Sequence, residues 1–149
     1  MVDPKKQERA KPAEARKEVK HTGSKEILAV IRIRGEINIK GDIKDTLDML
    51  RLRRKHACVV IEKNASNLGM LQKVKDYSTW GEIDEGTLKL LIEKRAEMNP
   101  EDPKRTKPYF RLSPPRGGFE RKGIKTSFQR GGALGYRGKD INNLIKRMI

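Results

Sequence analysis

The chain has 149 residues and carries a formal net charge of +15 at pH 7, from 35 Lys and Arg residues against 20 Asp and Glu residues. This excess of positive charge predicts a polyanionic partner, and it favours nucleic acid over a membrane surface. The length suits a single domain with extensions, the one cysteine excludes an internal disulfide, and no apolar run reaches the roughly 18 residues of a membrane span.

The first 24 residues are rich in charge and contain almost no apolar side chains. Such a segment cannot bury enough surface to offset the entropy of ordering. Residues 1–24 are therefore predicted to form a basic tail that is disordered in the free protein. Basic arms of this kind often lie on nucleic acid, and a solvated tail without a partner is the alternative interpretation.

Strand and helix patterns alternate after the tail. Ile27–Ile33 (ILAVIRI) begins as an apolar run and ends with alternating apolar and basic residues, which is typical of a strand. A helix is predicted to begin after an Asp42 cap and to end in the cationic run Arg51–His56, which suits the negative end of the helix dipole. That run is equally consistent with phosphate contact and with an ordinary helix C-terminus. The β-branched stretch Ala57–Ile61 is the second predicted strand.

Further helices and a third strand are predicted in the rest of the chain. Ser66 is expected to cap a short amphipathic helix, and Ser78–Ile83 (STWGEI) follows as a strand. Asp84 is expected to cap a third helix. Near the end of the chain, Asp140 is expected to cap a terminal helix whose apolar stripe docks it onto the body of the protein.

Residues 108–139 form a basic, glycine-rich stretch that we call the basic segment. It contains seven of the thirteen glycines, and eight Lys and Arg residues against one acid, Glu120. Glycine allows close backbone approach, arginine recognises phosphate, and interleaved aromatic rings are what base stacking requires. The alternative is a flexible linker, but Phe110–Leu112 and Gly123–Phe128 have the pattern of short strands. The aromatic residues are Tyr109, Phe110, Phe119, Phe128 and Tyr136.

No arrangement of residues indicates catalysis. The chain has no Gly-x-x-x-x-Gly-Lys-[Ser/Thr] phosphate loop and no Gly-x-Gly-x-x-Gly after a strand, and the glycines of residues 131–138 support only a loose phosphate cradle. His56 and Cys58 lie two residues apart, but two ligands do not make a zinc site. We interpret Cys58 as a small core residue and His56 as a loop residue. The protein is expected not to be an enzyme, and no cofactor, metal or small-molecule substrate is predicted.

Three stretches resemble a known family. Residues 29–61 (AVIRIRGEINIKGDIKDTLDMLRLRRKHACVVI) and 64–88 (NASNLGMLQKVKDYSTWGEIDEGTL) resemble the large-subunit ribosomal protein family called L-thirty in bacteria and archaea and L-seven in eukaryotes. Residues 111–149, which contain the motif PPRGG, resemble the C-terminal extension of the archaeal members. Because bacterial members are much shorter, the resemblance is to the archaeal type.

The resemblance implies an α+β fold with a ferredoxin-like β-α-β-α-β core, in which two helices pack on one face of a three-stranded antiparallel sheet. The chain then divides into the tail (1–24), the core (25–83) and a C-terminal extension made of a helix, a basic hairpin-like loop and a terminal helix (84–149). The implied role is structural: a cytoplasmic constituent of the large ribosomal subunit, with large-subunit (23S-type) rRNA and neighbouring ribosomal proteins as partners. A transient RNA chaperone or assembly factor is the alternative.

The predicted RNA-binding residues come from two sources. The resemblance carries over positions after the first strand, at the end of the first helix, on the second helix and in the PPRGG motif: Arg34, Lys40, Arg51, Arg53, Arg54, Lys55, Lys73 and Arg116. Charge and glycine content in the basic segment add Arg121, Lys122, Lys125, Arg130, Arg137 and Lys139.

Overall fold

The computed structural model describes residues 26–149, so the predicted basic tail, residues 1–24, lies outside the described part of the chain. The fold belongs to the α+β class, as predicted. The strands are β1 (Ile27–Arg32), β2 (Ala57–Glu62), β3 (Ser78–Glu82), β4 (Phe110–Arg111) and β5 (Gly135–Tyr136). The α-helices are α1 (Gly41–Met49), α2 (Ala65–Lys73), α3 (Glu85–Arg95) and α4 (Ile141–Met148), and two short 3-10 turns cover Phe128–Arg130 and Gly138–Asp140.

β1 is the centre of a five-stranded sheet with the order β4-β2-β1-β3-β5. It pairs antiparallel with β2 on one side and with β3 on the other. β4 extends the sheet beyond β2 in the antiparallel sense, and β5 extends it beyond β3 in the parallel sense. The three-stranded sheet that the resemblance implied was therefore incomplete, because the basic segment supplies a two-residue strand to each edge of the sheet.

Helices cover both faces of the sheet, and the alternation of side chains along β1 explains how. Leu28 and Val30 lie on one face, in a buried cluster with side chains of α1 and α2. Ala29 and Ile31 lie on the other face, in a buried cluster with side chains of α3 and α4. A strand that is buried on both faces carries a nearly continuous apolar run, which is the pattern of ILAVIRI. The resemblance implied helices on one face only, and α3 and α4 cover the second.

Arg32, at the end of β1, is buried, although the alternation of apolar and basic residues there placed it on the face opposite Ile31 and Ile33. Only 1% of its surface is exposed. Its Nε donates to the Arg34 carbonyl at 2.9 Å, and its Nη1 donates to the Leu52 carbonyl at 2.7 Å. Burial lowers the pKa of the guanidinium, and the charge of nearby Glu36 opposes that effect. Arg32 thereby ties the loop after β1 to the connection that precedes β2.

α1 ends at Met49, earlier than the sequence predicted, and the cationic run that follows is not helical. The Leu52 N–H donates to the Leu47 carbonyl at 2.9 Å, and the Arg51 N–H donates to the Asp48 carbonyl at 3.0 Å. These bonds define a Schellman motif, in which the residue after the helix cap adopts a left-handed conformation. Arg51 occupies that position with a φ of 63°, so the run is an ordered connection.

The predicted helix caps are partly confirmed. Asp84 and Asp140 occupy the residue before α3 and α4, although their side chains make no cap hydrogen bond. Asp42 and Ser66 were predicted to cap α1 and α2, but each lies inside the first turn of its helix. The acidic side chain of Asp42 still favours the positive end of the helix dipole there.

The basic segment is mostly a series of turns. Phe110–Arg111 is confirmed as a strand, but the predicted strand Gly123–Phe128 was wrong, since only Ser127 within it makes a β-bridge, to Leu134. Gly123 has a φ of 86°, a left-handed conformation that a strand does not contain. Glycine at this position therefore redirects the chain.

Cys58 lies in the core, as predicted. The residue is fully buried, and burial raises the pKa of its thiol to about 12, so the sulfur stays protonated and unreactive at neutral pH. Between residues 26 and 149, no cluster of three or more His, Cys, Asp or Glu side chains is arranged to hold a metal ion. No helix in the same range combines the length and the apolar character needed to cross a membrane.

Candidate nucleic-acid interface

Many of the predicted RNA-binding residues lie at one end of the sheet, which we call the basic end. It is the end at which β1 finishes and β2 and β3 begin, because β1 pairs antiparallel with both strands. Arg34 follows β1 there, residues 51–55 precede β2, and Lys73 lies in the last turn of α2, before β3. Strand pairing thus brings cations from distant parts of the sequence to one surface.

The opposite end of the sheet carries carboxylates. The strand register places Glu62 and Glu82 beside the first residues of β1, next to Glu26. Lys63 lies among them, with its Nζ 2.7 Å from a Glu26 oxygen and 3.6 Å from a Glu82 oxygen. Charge is therefore polarised along the strands, which favours approach of a polyanion to the basic end.

A groove of about 350 Å³, which we call the arginine groove, opens between the α1–β2 connection and the chain around β4. Arg51, Arg53 and Arg54 line it from the connection, and Arg111 lines it from β4. Tyr109 and Pro108 add an apolar wall, and none of the described residues lining the groove is a carboxylate. Arg111 was not among the predicted site residues, although it is one of the eight cations of the basic segment and lies in the predicted strand Phe110–Leu112.

A second groove of about 440 Å³, which we call the lysine groove, lies at the β5 edge of the sheet. Lys75 lines it from the α2–β3 connection, and Lys125 and Arg130 line it from the basic segment, together with one carboxylate, Asp76. The structure thus brings two predicted residues together with Lys75, which was not predicted. Its position just after a helix that already carried a predicted cation was the available signal.

A small apolar cluster holds the basic segment against the basic end. Ile33, just after β1, is buried with Ala133 and Leu134. The His56 ring stacks on Phe119 with the ring centroids 6.0 Å apart. Burial, and then the charge of the neighbouring lysine, lower the pKa of His56, so its imidazole is neutral at pH 7 and adds no positive charge to the surface.

Arg116 extends from a turn that is fixed by the backbone. Its N–H donates to the Arg147 carbonyl at 3.1 Å, and the Gly118 N–H donates to the Pro115 carbonyl at 3.1 Å. Gly117 and Gly118 have φ values of 79° and 78°, which residues with a side chain rarely adopt. The Arg116 side chain is exposed and makes no hydrogen bond or ion pair within residues 26–149.

Arg137 was predicted to contact RNA, but the structure places it inside the fold. Its side chain is 1% exposed, and its Nη1 lies 2.6 Å from a carboxylate oxygen of Glu120. The Nε donates to Thr79 Oγ1 at 2.8 Å, and Nη2 donates to the Ala133 carbonyl at 2.8 Å. The guanidinium also lies 4.9 Å from the centroid of the Phe128 ring. A buried guanidinium with these partners presents no face to a phosphate, so Arg137 is not an RNA-contacting residue in this fold.

The other predicted residues are exposed but are not all at the basic end. Lys40 immediately precedes α1, and Arg121 and Lys122 lie in turns of the basic segment. Lys139 lies in the 3-10 turn before α4. The Asn142 Nδ2 donates to the Lys139 carbonyl at 3.0 Å and to the carbonyl of Glu82, the last residue of β3, at 3.2 Å. Lys139 is therefore near the acidic end of the sheet, apart from the two grooves.

Of the five aromatic residues considered for base stacking, Tyr109 and Tyr136 line the cavities beside the cationic residues. Phe110 is buried in β4, and Phe119 and Phe128 make ring contacts within the protein. Tyr109 lines the arginine groove. Tyr136 is 46% exposed and lines a cavity that adjoins the lysine groove.

Comparison with known sequences identifies the family. The sequence model described as Ribosomal protein L30p/L7e matches residues 28–77. The large ribosomal subunit protein uL30 of Methanopyrus kandleri is 42% identical over an alignment that covers 78% of this chain and 100% of the relative. Those of Thermoplasma volcanium and Methanococcus vannielii are both 44% identical, over 83% and 81% of this chain and 93% and 98% of the relatives. The chain belongs to the ribosomal protein L30p/L7e family.

In this L30p/L7e family member, each groove lies between the residues matched by the family model and the basic segment. Residues 28–77 run from β1 to the α2–β3 connection. They supply one wall of each groove, with Arg51 in the arginine groove and Lys75 in the lysine groove. The opposite walls, with Arg111 and Lys125, come from the basic segment. The cationic surface therefore depends on how the C-terminal part of the chain docks onto the sheet.

Proposed function

We propose that the chain is a structural constituent of the large ribosomal subunit, in the cytoplasm, which binds large-subunit rRNA mainly through the basic end of its sheet and contacts neighbouring ribosomal proteins. The observation that carries the proposal is the convergence of cations from four chain segments at this end, while carboxylates collect at the other. Membership of a ribosomal protein family supports rRNA as the polyanion that this end binds. The family consists of structural components rather than enzymes, so no catalytic role is assigned.

The division of the chain is part of the proposal. Residues 25–83 would form a ferredoxin-like core, and residues 84–149 an extension that completes the RNA-binding surface. The antiparallel pairing of β1 with β2 and β3, and the packing of α1 and α2 on one face, support a core of this kind. The edge strands and α3 and α4 support an extension that covers the second face.

The proposed RNA-binding residues share a cationic side chain that is not buried in the protein. They are the predicted residues without Arg137, with Lys75 and Arg111 added because each lines a groove with predicted residues. The set is Arg34, Lys40, Arg51, Arg53, Arg54, Lys55, Lys73, Lys75, Arg111, Arg116, Arg121, Lys122, Lys125, Arg130 and Lys139.

Sedimentation of cell extracts through a high-salt gradient tests the function directly. A structural constituent is expected to travel with mature large subunits at one copy per subunit. A transient RNA chaperone or assembly factor would instead be confined to immature particles. Absence from mature subunits would therefore contradict the proposal and favour that alternative.

Binding to an rRNA fragment is expected to depend steeply on salt. If about eight phosphates are neutralised, the logarithm of the association constant falls with the logarithm of the salt concentration at a slope of about −6 to −7, by analogy with DNA. Lys75→Ala is expected to make this slope shallower by about one unit. Fluorescence anisotropy at several salt concentrations measures both values, and a slope near zero would contradict the electrostatic interface.

Arg116→Ala is expected to weaken rRNA binding by about 1.5–3 kcal/mol, typical of a hydrogen bond to a charged group. The melting temperature of the free protein should hardly change, because the side chain has no partner in the described residues. Arg116→Lys should recover only part of the loss, since an ammonium cannot reproduce the two parallel bonds of a guanidinium. Arg105→Ala, at an exposed position outside the proposed set, is the control. Loss of stability with unchanged RNA affinity would contradict the assignment.

Arg51→Gly is expected to change stability and RNA binding in opposite directions. Arg51 has a φ of 63°, which costs a residue with a side chain about 1 kcal/mol that glycine does not incur. Urea unfolding should therefore show a gain in stability of up to about 1 kcal/mol, while RNA affinity falls because a groove arginine is lost. A variant that gained stability and kept its RNA affinity would show that Arg51 takes no part in binding.

A further inference from the structure

The arginine groove combines a small volume with one aromatic wall. Its volume of about 350 Å³ lies at the lower end of the range of about 300–1,000 Å³ that is usual for small-ligand pockets. The groove therefore has room for one planar group and an attached phosphate rather than for a stack of bases.

Tyr109 is placed to provide a fixed stacking surface in this groove. It packs against the buried cluster that includes Leu50 and Leu52, yet the residue is only partly buried and lines the groove. The Arg111 guanidinium lies 6.0 Å from the ring centroid, at the outer limit of a cation–π contact. A ring that is already immobilised loses little entropy when a base stacks on it.

The charges around the groove are available to a ligand. The side chains of Arg51, Arg53 and Arg54 are exposed and make no hydrogen bond or ion pair within the described residues. The Glu97 carboxylate interacts electrostatically with Arg111, but its hydrogen-bonded ion-pair partner is Lys107, whose Nζ lies 3.0 Å away. Unpaired guanidinium groups beside an aromatic ring meet the two needs of an unpaired nucleotide, which are a phosphate contact and a stacking surface.

The backbone of the connection that forms the groove is strained, which is an independent observation. Arg51 and His56 have φ values of 63° and 66°, and glycine would relieve this strain at Arg51, the residue that follows the helix cap. Strain that persists in a folded protein tends to mark functional segments. Here it holds a groove arginine in place where a glycine would be the more stable choice.

We propose that the arginine groove receives one unpaired nucleotide of the bound RNA, with its base against Tyr109 and its flanking phosphates on the groove arginines. The inference rests on the proposed function, because it takes RNA as the partner. It adds a defined subsite and a requirement on the RNA: a bulged or single-stranded nucleotide must face the connection between α1 and β2.

Two RNA hairpins with the same number of phosphates test the subsite on the full-length protein. One hairpin carries a single bulged 2-aminopurine, and the other carries the same base in a paired position. The bulged hairpin is expected to bind about tenfold more tightly, which corresponds to the lower part of the range of free energies for stacking a base on an aromatic side chain. Its 2-aminopurine emission is expected to be quenched on binding. Tyr109→Leu should abolish the preference and the quenching, whereas Tyr109→Phe, which keeps the ring, should retain both.

Three results would overturn the subsite. The first is equal affinity of the wild-type protein for the two hairpins, and the second is an unchanged preference in Tyr109→Leu. The third is displacement of the bulged hairpin by micromolar adenosine 5′-monophosphate, which would indicate a site for free nucleotides. None of these results alters co-sedimentation with the large subunit, so failure of the subsite is distinguishable from failure of the proposed function.

Discussion

Gly81→Ala is expected to lower the free energy of unfolding by about 3 kcal/mol, at the upper end of the usual cost of overpacking. Gly81 lies in β3, and a Cβ at this position would collide with the Gly138 carbonyl oxygen and lie 2.9 Å from the Ile141 side chain. The carbonyl belongs to the backbone and cannot rotate aside. The turn before α4 would have to move, and the buried side chains of α4 would lose their packing on the sheet.

Gly69→Ala is the matched control for this prediction. Gly69 lies in the middle of α2, and a Cβ there would meet no atom within 4 Å. Because alanine is favoured over glycine in a helix by about 0.8–1 kcal/mol, this variant is expected to be more stable than the wild type. Urea unfolding measures both variants, and equal effects from the two substitutions would contradict the close contact between β3 and the turn before α4.

Sequence periodicity was sufficient for the elements that bury an apolar face. β1 is buried on both faces, so its apolar run identified a strand without any knowledge of its neighbours. The stripes on α1 and α4 were read in the same way, and the α+β class followed from the order of the elements. Apolar burial is local information, because each strand or helix carries its own pattern.

The edge strands depend on information that is not local. Each contains only two residues; the pattern of Phe110–Leu112 predicted β4, whereas no pattern predicted β5. β4 exists because Arg111 pairs with Ala57, and β5 exists because Gly135 pairs with Thr79. The residues of an edge strand do not encode which strand they pair with. The resemblance implied helices on one face only, so it did not place α3 and α4 on the second face.

The candidate site shows the same division between local and non-local information. Positive charge predicted which part of the chain meets a polyanion, but charge does not distinguish an exposed arginine from a buried one. Arg130 and Arg137 both lie in the basic segment, yet only Arg137 finds a carboxylate, Glu120, seventeen positions earlier in the chain. Arg51 was expected in a helix, because the sequence offers arginine where glycine usually marks the helix end.

Arg137→Met is expected to lower the free energy of unfolding by about 3 kcal/mol, the lower end of the cost of breaking a buried ion pair. The guanidinium links Glu120 and the Ala133 carbonyl of the basic segment to Thr79 of β3. Removing it leaves the Glu120 carboxylate, which is only 21% exposed, without its partner. The lower end of the range applies because that carboxylate retains some contact with water.

The loss should be concentrated at the β5 edge of the sheet. The Arg137 N–H donates to the Trp80 carbonyl at 3.0 Å, so hydrogen exchange at this amide reports directly on the anchoring of the basic segment. Faster exchange is expected there in Arg137→Met than in the wild type, with smaller changes in β1. RNA affinity should also fall at temperatures where the variant is folded, because Lys125 and Arg130 lose their fixed positions in the lysine groove.

Comparison with Arg130→Met distinguishes an arginine that contacts RNA from an arginine that stabilises the fold, which the sequence could not do. It removes the same charge from the same segment, but at an exposed position without a hydrogen bond from its side chain in the described residues. Its free energy of unfolding is expected to stay within about 0.5 kcal/mol of the wild type, while its RNA affinity falls. Arg137 acts on the RNA only through the fold, so its variant loses stability first. Equal stability of the two variants would place Arg137 on the surface after all, and would restore it to the RNA-binding set.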